Sequence, residues 1–135
     1  MQVRLASEAE ALEIVSEPAT VQRIEKVPEH MTRQPWIIED AGRRMMFVFW
    51  WMGDGLYEAH IAMPRRDVIA SRWLTYCMLR WLFGNGARRI ITNCPEGKIA
   101  NLARKLGMRE TARHDTTIYF EVTPWELEPQ SPVAP

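Results

Sequence analysis

A three-layer α/β domain built on a mixed sheet is the fold class this sequence predicts, and three observations predict it. The chain has 135 residues, 47% of them apolar and 25% charged, which is one ordinary domain's worth of material. Its hydrophobic periodicity switches between that of a strand and that of a helix in the order βααβββαβαββ, a meander followed by strands alternating with helices. Nothing repeats, and composition changes only at the proline-rich end. Residues 1–123 therefore read as one domain and residues 124–135 as a C-terminal tail with little to bury.

The elements follow in order. Val3 to Ala6 reads as a short strand. Ser7 stands at an N-cap with Glu10 three residues on, the capping-box pattern, and Leu12, Ile14 and Val15 give the helix its apolar face before Pro18. Thr20 to Val27 reads as a second short helix, with Val21, Ile24 and Val27 at helical spacing, and Pro28 to Pro35 as a loop. Trp36 to Glu39 is a strand turned by Asp40-Ala41-Gly42. Met45 to Met52 is almost wholly apolar and should be covered on both faces. Gly53-Asp54-Gly55 marks a tight turn into Leu56 to Met63, which alternates with period two. That alternation sets Leu56, Glu58, His60 and Ala62 on one face and Tyr57, Ala59, Ile61 and Met63 on the other.

Pro64 to Val68 is a polar connection. Ile69 to Phe83 then has helical period, with Leu74, Met78, Trp81 and Leu82 as its stripe and Gly84-Asn85-Gly86 as its stop. Arg89 to Thr92 is a β-branched strand broken by Cys94-Pro95. Glu96 to Leu106 is a helix with Ile99, Leu102, Ala103 and Leu106 inward, ended by Gly107. Met108 to Arg113 and Thr116 to Val122 form an antiparallel pair turning at His114-Asp115.

Charge and composition exclude several function classes. Lys plus Arg and Asp plus Glu are each 17, so the formal net charge is zero. General nucleic-acid binding runs on a basic excess, and so does attraction to an anionic membrane surface, so neither is expected. No apolar run approaches the ~20 residues a membrane-spanning helix needs. Only Cys77 and Cys94 are present, which implies no disulfide framework and a reduced, cytoplasmic setting. His30, His60 and His114 are scattered, so no metal site is expected.

The stretch from Tyr57 to Arg109 resembles the core of the GNAT acetyltransferase superfamily. There a strand ends in a splayed position, and a loop of pattern Q/R-x-x-G-x-G/A opens the next helix. Here that pattern falls on Arg66-Asp67-Val68-Ile69-Ala70-Ser71, with Arg66 matching and with Ile69 and Ser71 at the glycine and small-residue positions. A later helix of the family reads roughly N-x-x-A-x-x-L-Y-x-K-x-G-F. It falls on Glu96 to Met108, where Leu102, Lys105 and Gly107 match, Ala103 stands for the tyrosine and Glu96 for the asparagine.

The resemblance implies a single GNAT-like domain whose central mixed sheet is largely antiparallel and flanked by helices. It implies acetyl-CoA as the cofactor, an N-acetyltransferase reaction by direct attack of an amine, and a small-molecule or protein amine as substrate. Arg65, Arg66 and the segment Val68, Ile69, Ala70 and Ser71 would hold the pyrophosphate on backbone N–H groups, with the branched Ile69 expected to crowd it. Glu58 is the candidate base, with His60 beside it; the plainer reading pairs Glu58 with an arginine such as Arg44 on the neighbouring strand. Tyr119 on the last strand is the candidate acid for the leaving thiolate, against a plain role at the core edge. A second function class stays open beside the enzyme: a catalytically silent GNAT-fold interaction protein, such as a phage virion or ejection component, acting in the host cytoplasm or virion with itself or virion proteins as partners.

Overall fold

The computed structural model describes residues 1–16, 21–22 and 35–133. Its elements are β1 (Gln2–Leu5), α1 (Glu8–Ser16), β2 (Val21–Gln22), β3 (Trp36–Asp40), β4 (Arg43–Trp51), β5 (Leu56–Met63), α2 (Ser71–Gly84), β6 (Arg89–Pro95), α3 (Lys98–Lys105), β7 (Arg109–His114) and β8 (Thr117–Val122), with a 3₁₀ turn at Arg65–Ala70. The sheet runs β1-β3-β4-β5-β6-β8-β7, and β2 pairs β5 off that path. Every neighbouring pair is antiparallel except β5 with β6. The mixed, largely antiparallel sheet between helical layers is the predicted fold class.

Strand alternation decides what each layer buries. Met45, Phe47 and Phe49 of β4 and Ala59, Ile61 and Met63 of β5 face the main core with Leu74, Met78 and Leu82 of α2 and Ala100, Ala103 and Leu106 on and just after α3. The opposite face packs Ile37, Met46 and Ala62 under Ile14 of α1. Both faces of β4 are thus covered as far as Phe49, but Trp51 and Met52 are exposed, because the strand outruns its covering layers.

At the N-terminus the cap is half made. The Glu10 N–H donates to Ser7 Oγ at 3.1 Å. The Glu10 carboxylate turns instead to Arg4 (2.6 and 2.9 Å) and Arg44 (2.8 Å). These charge-assisted bonds outcompete a return bond to the cap and staple α1 to β1 and β4.

Four readings are corrected. Val21–Gln22, expected in a helix, is a strand; the rest of Thr20 to Val27 and the loop up to residue 34 lie outside the described residues. The connection after β5 is a 3₁₀ turn, and α2 begins at Ser71 rather than Ile69. Cys94-Pro95 does not break β6, which pairs through Cys94↔Ile118 and Pro95↔Thr117; β5 has left β6 after Ile91, so Pro95 lies at an open edge, where proline is tolerated. Residues 124–133 form no strand or helix, yet they bury more than expected. Leu127 joins the core, the Glu128 N–H donates to Leu106 O at 2.9 Å, and Gln130 Nε2 donates to Lys105 O at 2.9 Å.

Candidate active site

The sheet opens between its one parallel pair. β5 and β6 are paired only through Leu56↔Arg89, Tyr57↔Ile90 and Glu58↔Ile91, although β5 runs on to Met63 and β6 to Pro95. Gly55 fixes where they meet. Its φ is +74°, its carbonyl accepts from the Arg88 N–H at 2.7 Å, and an added Cβ would lie 2.9 Å from Arg88 Cγ. Just past the last pair, Thr92 Oγ1 donates to Ala59 O at 2.7 Å. Beyond that the edge of β5 is open to another partner, and β2 takes its end through Val21↔Met63 and Gln22↔Ala62.

At the fork stand Glu58 and His60, one residue apart on one face. Glu58 Oε2 lies 3.2 Å from His60 Nε2, and Asn93 Nδ2 of β6 donates to Glu58 Oε1 at 3.3 Å. Both carboxylate oxygens are therefore fixed, from both arms of the fork. Because Nε2 meets a carboxylate, hydrogen-bond geometry assigns it the proton, which leaves Nδ1 with a lone pair. That Nδ1 is buried without a hydrogen-bond partner among the described residues.

The plain reading of Glu58 is corrected: Arg44 lies towards the other end of β4 and bonds Glu10 and Glu13 of α1, whereas β4 sets Trp50 opposite Glu58. Tyr119 is directly opposite Asn93 in the antiparallel β6–β8 ladder, on the same face and 40% exposed. Glu58, His60, Asn93 and Tyr119 thus share one surface. Asn93 is the member that sequence reasoning missed. Its signal is the parity of β6, legible only once β5 and β6 are known to lie side by side.

On the other face of the fork a cleft of about 230 Å³ lies between the N-terminal end of α2 and one side of α3. Ile61 and Met63 of β5 form its floor, Val68 and Ser71 one wall, and its charged side chains are Arg72, Lys98 and Lys105. No acid lines it. Lys98, Asn101 and Lys105 follow one helical stripe of α3, a pattern readable from the sequence beside the inward Ile99 and Leu102.

Of the residues expected to hold pyrophosphate, only Val68 and Ser71 line this cleft. Ala70 is buried in the core. Arg65 and Arg66 are exposed, Arg66 Nε lying 3.5 Å from the buried Asp67 carboxylate, whose Oδ2 also accepts from the Arg44 N–H at 3.3 Å. The amides also differ from expectation. Of the four expected donors, the Ser71 N–H is given to Val68 O at the end of the 3₁₀ turn and is already used. Ile69 is 68% exposed and does not line the cleft.

The fold is shared with solved acetyltransferases. A Bacillus subtilis acetyltransferase in complex with CoA superposes with a TM-score of 0.66 at 14% identity, over 90% of this chain and 97% of that one. The yncA protein of Salmonella typhimurium, with its cofactor acetyl-CoA, matches at 0.58 and 16% over 99% and 98%. The ribosomal-protein-alanine N-acetyltransferase of Brucella melitensis matches at 0.58 and 12% over 91% and 99%. No family model and no curated protein matches the sequence. Among the described residues no helix is long and apolar enough to cross a membrane, and no cluster of three or more His, Cys, Asp or Glu is placed to hold a metal ion.

Proposed function

We propose that this chain is an acyl-CoA-dependent N-acyltransferase of the GNAT kind, moving an acyl group, acetyl in the simplest case, to an amine by direct attack. The observation that carries the reading is the forked β5–β6 pair, with a carboxylate–imidazole pair on one face and a cleft bearing three cations on the other. The chemistry of the cleft fits the donor. Arg72, Lys98 and Lys105 suit its phosphates, and Ile61, Met63 and Leu102 suit the apolar arm between phosphate and sulfur.

When bound, the thioester supplies an activated acyl carbon. The chain's own residues supply position and proton handling. An amine arriving on the Glu58 face must become neutral, and the Glu58–His60 pair takes its proton, with Asn93 holding the carboxylate in place. As the carbon–nitrogen bond forms the carbon–sulfur bond breaks, and Tyr119 is the side chain on that face assigned to give the departing thiolate its proton.

The test is calorimetry with acetyl-CoA, followed by transfer to a panel of small amines and amino-terminal peptides. Binding that weakens with added salt and with Lys98→Glu is expected. Glu58→Gln should still bind acetyl-CoA but lose roughly 10²–10⁴-fold in turnover. Absence of binding at millimolar acetyl-CoA rejects the reading.

A second reading is a non-catalytic interaction protein of the same fold. The used Ser71 amide at the end of the 3₁₀ turn and the seat of β2 on the edge of β5 favour it. A monomer that turns over acetyl-CoA excludes it.

A further inference from the structure

Behind the cationic cleft, under the point where β5 and β6 separate, lies a second cavity of about 40 Å³. The two share Ile61, Ile99 and Leu102 in their linings, so the cavity adjoins the apolar side of the cleft, with Phe47, Leu79 and Met108 on its far side. A void needs about 10–15 Å³ of this measure for one water-sized group, so this one takes roughly three or four such groups. Water is a poor occupant, since it requires two to four polar partners. The two hydroxyls in the wall are committed, Thr75 Oγ1 to Met45 Sδ at 3.2 Å and Thr92 Oγ1 to Ala59 O at 2.7 Å. His60, which also borders the cavity, carries its side chain on the opposite face of β5 by strand alternation. The space therefore suits a short apolar chain.

We infer that this cavity receives the acyl chain of the donor, and that the preferred donor is a short-chain acyl-CoA one or two methylenes longer than acetyl-CoA. The inference rests on the acyltransferase reading and adds the substrate class. Its geometry is the adjacency, through three shared apolar side chains, of the cationic cleft and an apolar cavity beside the fork that bears Glu58. Each methylene moved from water into such a space improves binding about fourfold, so butyryl-CoA should bind roughly 15-fold more tightly than acetyl-CoA. A chain much longer than butyryl overfills the cavity and should lose that gain.

The experiment is calorimetry on the full chain with CoA, acetyl-, propionyl-, butyryl- and octanoyl-CoA. Affinity should climb from acetyl to butyryl and fall at octanoyl. In Ala103→Leu, which adds bulk to the cavity wall from α3, the butyryl-to-acetyl ratio should drop to near one. Ala59→Val narrows the same space from β5 and serves if the first variant does not fold. If CoA binds and acetyl-CoA binds as tightly as butyryl-CoA, the pocket assignment is overturned and the acyltransferase reading stands. If CoA itself does not bind, both fall.

Discussion

Gly107 joins α3 to β7 with φ +85°, and the C-terminal segment passes directly over it. A Cβ built there would lie 2.3 Å from Glu126 O and 3.0 Å from Glu128 Cγ. The first contact is with backbone, so Gly107→Ala forces the 126–128 segment to lift. A side chain in the left-handed region costs about 1–2 kcal/mol. Lifting the segment exposes Leu127, whose burial is worth about 1.5–3 kcal/mol, and breaks the Glu128–Leu106 bond, worth about 1 kcal/mol. The expected loss is about 3.5–6 kcal/mol, a large share of a domain's total of about 5–15 kcal/mol. Urea unfolding followed by circular dichroism measures it. Leu127→Ala alone should cost about 2 kcal/mol, and the double variant should lose clearly less than the sum, because both act through one segment. A Gly107→Ala loss under about 1 kcal/mol, or strict additivity, would refute the claim that residues 124–133 are packed as part of the domain.

Three further outcomes are expected. The Arg4 guanidinium, seconded by Arg44, holds the Glu10 carboxyl below its usual range, so its contribution to stability is complete above the unfolded carboxyl range and fades as pH falls through the lowered value; Glu10→Gln should flatten acid unfolding curves there. Glu126, held at about 2 by Arg109 and Thr123, acts in the same sense at still lower pH, so Glu126→Gln should raise the midpoint pH of acid unfolding. Burial pushes the Cys77 thiol up to about 11, and Cys94 is buried as well, so a thiol reagent at pH 8 should label neither cysteine in the native protein and both in urea; prompt labelling of the folded chain would show the packing around α2 to be wrong.

Local periodicity was enough for the elements whose faces are cleanly divided. Alternation over Leu56–Met63 assigns Glu58 and His60 to one face without any tertiary information, and the stripe through Leu74, Met78 and Leu82 does the same for α2. Elements held by a single long-range contact were not legible. One leucine in a proline-rich run does not reveal that Leu127 is core, and nothing local to Asp67 shows that its carboxylate caps the start of β4 from a distant turn. Val21–Gln22 carries a helix-compatible spacing and is a strand because the edge of β5 lacks a partner there, a tertiary override of local preference.

The candidate site divides along the same line, and the division says how it would work. Glu58 sits where β5 is paired on both sides, His60 just past the fork where β4 holds it, and the third group, Asn93, comes from the other arm of the fork. Any change in the opening of β5 from β6 therefore changes the bond between Asn93 and Glu58 directly. In the proposed site the donor's phosphates would meet side chains where the family pattern has glycine-framed amides. Backbone amides are fixed dipoles held by the fold, whereas Arg72, Lys98 and Lys105 are full charges on flexible stems at the surface. Replacing one by the other exchanges geometric selectivity for long-range attraction, which salt screens within about 10 Å at 0.1 M ionic strength. On the proposed reading the departures at Ile69 and Ser71 need not abolish a phosphate site, because cations stand on both helices bordering the cleft, Arg72 on α2 and Lys98 and Lys105 on α3.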